Sequence, residues 1–134
     1  PLRERGVLIV ASGNVVHNLG GMNPALGDVG FDWAQRFDNA ARELMSVDPT
    51  EVARLDANQD YEYAVPTPDH FIPLLYLAGL AGAQDTGTDV LVDGYTYGSL
   101  SMTSYTLGLD ASAPTQGTGT PELPLGVPAE SSNI

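Results

Sequence analysis

The run Val7-Leu8-Ile9-Val10-Ala11, closed by Ser12-Gly13-Asn14, constrains this chain more than any other stretch. Consecutive apolar residues leave no polar face. A strand of this kind, read over residues 6 to 12, belongs in a sheet covered on both sides, the parallel or mixed sheet of α/β proteins. The Ser-Gly-Asn turn then falls at the carboxyl edge of that strand, where open α/β sheets bind ligands. The expected fold is therefore α/β, with a mixed central sheet flanked by helices. The strand begins within six residues of the start and no initiating Met precedes it. This predicts that the N-terminal part of a larger protein is missing, removed or carried by another chain.

Helical signals follow. Asp32 reads as an N-cap with Gln35 as its capping-box partner. Trp33, Phe37, Ala41, Leu44 and Met45 recur at helical spacing, which predicts an amphipathic helix from Trp33 to Val47. Asp48-Pro49-Thr50-Glu51 predicts a second, short helix with Val52 and Leu55 inward. Thr67-Pro68-Asp69-His70 predicts a third, running on through Leu74, Leu75, Leu77 and Leu80. Pro73 is acceptable there only in the first two turns. Residues 89–95 and 99–107 read as strands. The second alternates, with Leu100, Met102, Ser104 and Thr106 on one face and Ser99, Ser101, Thr103, Tyr105 and Leu107 on the other. Residues 1–109 are the part expected to fold. Residues 110–134, rich in Pro, Gly, Ser and Thr, read as an irregular tail.

Charge narrows the function. The net charge is -12, and the five basic residues are all Arg. Nucleic-acid binding needs a basic footprint to displace counterions, and an anionic membrane surface repels such a chain. There are no cysteines, which excludes disulfides, thiolate catalysis and Cys-ligated zinc. No leader-like apolar segment precedes Gly6, so a cytoplasmic protein is the expectation.

Two histidines remain, both at element ends. His70 sits in the first turn of its helix beside Asp69. It is either a solvated polar residue or a metal ligand whose ring Asp69 orients. His17 follows the apolar strand and the Gly-Asn turn. It is either a core histidine satisfied by backbone or a general acid/base, with Asn14 or Asn18 fixing its tautomer. Asp93 and Tyr95 can line a cleft or serve the surface and core. Ser12 lacks the Gly-x-Ser-x-Gly setting of a nucleophile elbow, and no phosphate-binding Gly-rich loop is present.

Four blocks carry a resemblance: Ala-Ser-Gly-Asn-Val-Val-His-Asn-Leu (11–19), Asp-Trp-Ala-Gln-Arg-Phe-Asp (32–38), Pro-Thr-Pro-Asp-His-Phe-Ile-Pro-Leu-Leu (66–75) and Gly-Ser-Leu-Ser-Met-Thr-Ser-Tyr (98–105). In order and spacing they resemble the C-terminal half of class III extradiol ring-cleavage dioxygenases of the LigB type, specifically the DOPA 4,5-dioxygenase group. The resemblance implies an oxidoreductase that opens a catechol such as DOPA with O2. It makes His70 a ligand of a non-haem Fe(II), or of zinc in the same place. It makes His17 the acid/base group, with Asn14 and Asp69 in the pocket or behind the ligands. The remaining metal ligands of the family are histidines of an N-terminal half, so that half is an expected partner, in the same gene product or as a separate chain. An oligomer is compatible with exposed strand edges. A non-catalytic protein-binding module on the same scaffold is the alternative.

Overall fold

The apolar stripe of residues 32–47 forms the central helix of a computed structural model that describes residues 2–109. Helix α1 spans Asp32–Val47. Ala34, Phe37, Ala41 and Met45 are fully buried along it, while Trp33 and Leu44 flank that stripe half-buried. Its start differs from the expected capping box. Phe31 is the cap, no side chain caps the helix, and the Gln35 amide instead donates to the Gly30 carbonyl at 2.7 Å. Asp32 therefore opens the helix as its first residue, where a negative charge suits the dipole.

The Asp48 carboxylate accepts from the Thr50 N–H at 3.2 Å, and a 3-10 helix runs over Pro49–Ala57 with Val52 and Leu55 buried. A single turn, α2 (Tyr61–Ala64), follows. Arg36 of α1 binds Asp60, at its start, through two 2.9 Å hydrogen bonds. Next comes a 3-10 turn, Pro68–His70, then α3, Ile72–Gly82. Pro73 lies at the start of α3, where it removes no helical hydrogen bond. Phe71 joins Phe37 and Tyr61 in an aromatic triad whose centroids are all 6.1 Å apart. That triad locks the segment carrying His70 onto α1.

The strands are short: β1 (Asp89–Val92), β2 (Tyr95–Thr96), β3 (Leu100–Ser101) and β4 (Ser104–Thr106). β1 pairs antiparallel with β4, with a bulge between Val90 and Val92, and β2 pairs antiparallel with β3. The molecule is thus mixed α/β, as expected. One expected strand is absent. Residues 6–12 form no strand; Val7, Leu8, Ile9 and Val10 are 43%, 80%, 42% and 80% exposed. The alternation is that of an extended chain, but among the described residues no strand lies beside it to complete a ladder. Along residues 99–103 the inward face is the polar one. Ser99, Ser101 and Thr103 are buried and Met102 is exposed; Ser101 and Thr103 donate to a buried carboxylate, and Ser99 donates to the Asn18 carbonyl. The expected tail, 110–134, lies outside the described residues.

Candidate active site

Residues 14–18 lie along β3 like an added strand. The Ser101 N–H donates to the Val16 carbonyl at 3.0 Å, His17 bridges Leu100 antiparallel, and the Asn18 N–H donates to the Ser99 carbonyl at 3.1 Å. The Ser99 hydroxyl returns a bond to the Asn18 carbonyl at 2.6 Å. On its other side the His17 N–H donates to the Ala64 carbonyl at 2.8 Å. His17 is therefore fixed from both sides by backbone.

The 3-10 turn brings His70 against it. The two imidazoles stack with centroids 3.5 Å apart and planes inclined by 9°. Two features allow this approach. The Asn14 N–H donates to the His70 carbonyl at 3.0 Å. Gly13 leaves room for that carbonyl, since a Cβ at position 13 would stand 2.2 Å from it. An apolar groove of about 410 Å³ runs beside the pair, lined among others by Val7, Ile9, Asn14, His70, Leu77 and Tyr105.

Electrostatics bears on the His17 ring and on Asp69. Burial, and then the neighbouring His70, push the His17 imidazole below its ordinary value, so its neutral form prevails at neutral pH. Asp69 lies with Oδ2 3.5 Å from His70 Nε2. The Thr67 hydroxyl and backbone N–H donation hold its carboxyl below the usual range.

The expected roles of the two asparagines change. The Asn14 amide donates to the Ser101 carbonyl at 2.8 Å, and the Asn18 amide donates to the Tyr63 carbonyl at 2.9 Å. Both secure backbone rather than the His17 tautomer. Asp93 and Tyr95 serve a network that the sequence reading missed. Asp38, fully buried on α1, accepts from Ser101 Oγ at 2.6 Å, Arg42 Nε at 2.8 Å, Thr103 Oγ1 at 2.9 Å and Tyr95 OH at 3.1 Å. Arg42 also pairs with Asp93. The signal was present: Asp38 falls on the apolar stripe of its helix, and Arg42 follows it by four residues.

Among the described residues no group of three or more His, Asp or Glu side chains can hold a metal ion. The stack adds a geometric limit. Imidazole nitrogen binds a metal in the plane of its ring, and the two ring planes are nearly parallel and offset. One ion cannot lie in both. The described residues thus fit one ligand position of a metal centre, with the second imidazole beside it, and do not make a complete site.

The family described as the catalytic LigB subunit of aromatic ring-opening dioxygenase matches residues 2–108. The chain belongs to the LigB family. Within this family it is similar to the 4,5-DOPA dioxygenase extradiol of Escherichia coli K12, 38% identical over 111 residues, which are 80% of this chain and 41% of that protein. The enzyme of the same description from Beta vulgaris is 31% identical over 107 residues, covering 78% of this chain and 39% of the relative. The fold agrees with the crystal structure of an uncharacterized E. coli K12 protein, with a TM-score of 0.65, 34% identity and coverage of 78% of this chain and 44% of that one. The LigB-family chain here therefore spans about two fifths of the length of the curated relatives it matches.

Proposed function

We propose that this chain supplies part of the active site of a metal-dependent, non-haem extradiol dioxygenase that opens a catechol ring such as that of DOPA with O2. The observation that carries the reading is the stack of His17 on His70 at 3.5 Å. It brings the two histidines of the sequence together from separate elements and gives them different environments. In this reading His70 is one ligand of a ferrous ion, with zinc as the other candidate, and Asp69 orients its ring. When bound, the metal supplies a common seat for the diol oxygens and O2.

His17 does the proton work. Its lowered affinity for protons leaves a neutral ring able to accept from a catechol hydroxyl, and as the imidazolium it returns that proton once the ring opens. The catechol supplies the electrons and both oxygen atoms enter the product, so no outside reductant is needed. Asn14 keeps the strand carrying His17 at a fixed distance from His70. The remaining ligands come from an N-terminal half, which would cover Leu8 and Val10. A cytoplasmic location accords with this chemistry.

The test is to co-express the chain with an N-terminal half, load Fe(II) without oxygen, then add a catechol and O2. A yellow ring-opened product is expected. His70→Ala should abolish metal retention, whereas His17→Ala should retain metal and stop turnover. Absence of both metal uptake and product would overturn the reading. That outcome would favour a protein-binding module on the same scaffold, which the exposed apolar segment 7–10 also suits.

A further inference from the structure

Helix α1 buries a carboxylate where its own pattern calls for an apolar side chain. Asp38 is fully buried, as are Ala34, Phe37, Ala41 and Met45 of the same helix. A leucine there would satisfy the helix without the desolvation cost that a buried charge carries. The requirement comes from what the carboxylate holds.

Its Oδ1 accepts from Ser101 Oγ at 2.6 Å, and its Oδ2 receives Arg42, Thr103 and Tyr95. Ser101 is the residue against which the histidine segment is registered. Its N–H meets the Val16 carbonyl at 3.0 Å, and its carbonyl accepts the Asn14 amide at 2.8 Å. Asn14 in turn donates its N–H to the His70 carbonyl at 3.0 Å. A continuous path of short hydrogen bonds thus runs from Asp38 through Ser101 and Asn14 to His70, with His17 bridged to the adjacent Leu100.

We infer that Asp38 is a positioning residue for the His17–His70 pair, acting through Ser101 and Asn14. It fixes β3 in depth against α1, and β3 sets the spacing at which the two rings stack. Arg42 donates to the carboxylate in its buried setting, and Asp93 holds Arg42 from the solvent side.

The test is proton NMR of the histidine rings in the full chain. With two histidines, the ring signals are assigned by His17→Gln and His70→Gln. The unmodified protein should show cross-relaxation between the two rings. Ser101→Ala removes the Asp38 link and the 3.2 Å contact from the Thr103 N–H, and leaves the other three donors on Asp38. It should lose the inter-ring signal while the methyl shifts of Val52 and Leu55 stay in place. Asp38→Asn can still accept from Arg42 and donate to Ser101 Oγ, and should keep the stack; Asp38→Leu should lose it. If Asp38→Leu does not fold, Ser101→Ala decides alone. An intact inter-ring signal in Ser101→Ala would overturn the inference, as would its loss together with displaced Val52 and Leu55 methyls.

A kinetic arm, which alone rests on the proposed dioxygenase reading, is a roughly tenfold or greater fall in kcat for Ser101→Ala with KM little changed. A fall confined to KM would count against positioning. Failure of the dioxygenase reading would leave the NMR result standing.

Discussion

Gly13 has no room for a side chain. Its φ is not left-handed, so the restriction is steric: an added methyl would press on the His70 carbonyl at 2.2 Å and on Pro73 Cγ at 3.0 Å. One of these is backbone and cannot rotate away. Gly13→Ala should cost about 1–3 kcal/mol in urea unfolding and separate the two imidazoles. An alanine variant of unchanged stability would show that the His70 turn moves freely. Asp93 makes a pH-dependent contribution. The Arg42 guanidinium holds its carboxyl below the ordinary value of 3.8. Because the folded-state value is the depressed one, the pair stabilises above 3.8 and the gain is lost as the pH falls through the lower folded value. Asp93→Asn should therefore flatten the acid limb of the Tm–pH curve. The effect is small, since Asp93 is largely exposed and solvent screens it. Superimposable curves would refute it.

Among the elements, α1 and the turn before α3 are joined chiefly through Phe37, Tyr61 and Phe71. Phe71→Ala should lower stability by about 3–5 kcal/mol, measured by chemical denaturation. A loss below about 1 kcal/mol would mean that the triad does not couple them. These elements were legible in the sequence because periodicity and turn chemistry are local. The α1 stripe, the Asp48 cap and the early position of Pro73 needed only neighbours along the chain. Both histidines were legible as candidates for the same reason, by their place at element ends. What escaped was set by distant partners. Ser101 and Thr103 turn inward because Asp38 needs donors, and Asn14 and Asn18 spend their amides on carbonyls far along the chain. Residues 7–10 have the composition of a buried strand, but composition cannot supply the neighbour that a ladder requires. No pattern in residues 99–107 distinguishes a polar face turned to water from one turned to a buried carboxylate.

For the whole molecule, the segment Val7–Val10 and the outer side of α3 together present a broad apolar surface. Leu8 and Val10 are 80% exposed, and Tyr76 is 73% exposed. Patches of this kind mark interfaces. Replacing both Leu8 and Val10 with Asp should sharpen elution of the chain alone on a sizing column and reduce binding of an apolar dye. On the proposed reading it should also abolish assembly with an N-terminal half. Assembly that survives both replacements would place the interface elsewhere.

The zipper between residues 14–18 and 99–101 has a consequence in time. Its hydrogen bonds join positions 81 and 87 apart in the chain, whereas α1 and α3 close within a few residues. Contacts of long sequence separation carry the larger loop-closure entropy and form late. During refolding the helices should therefore gain their structure in an early phase, and the two imidazoles should meet only in a later one, when the ends of the described chain come together. A chain emerging from synthesis carries His17 and His70 unassembled until residues 99–101 exist to align them.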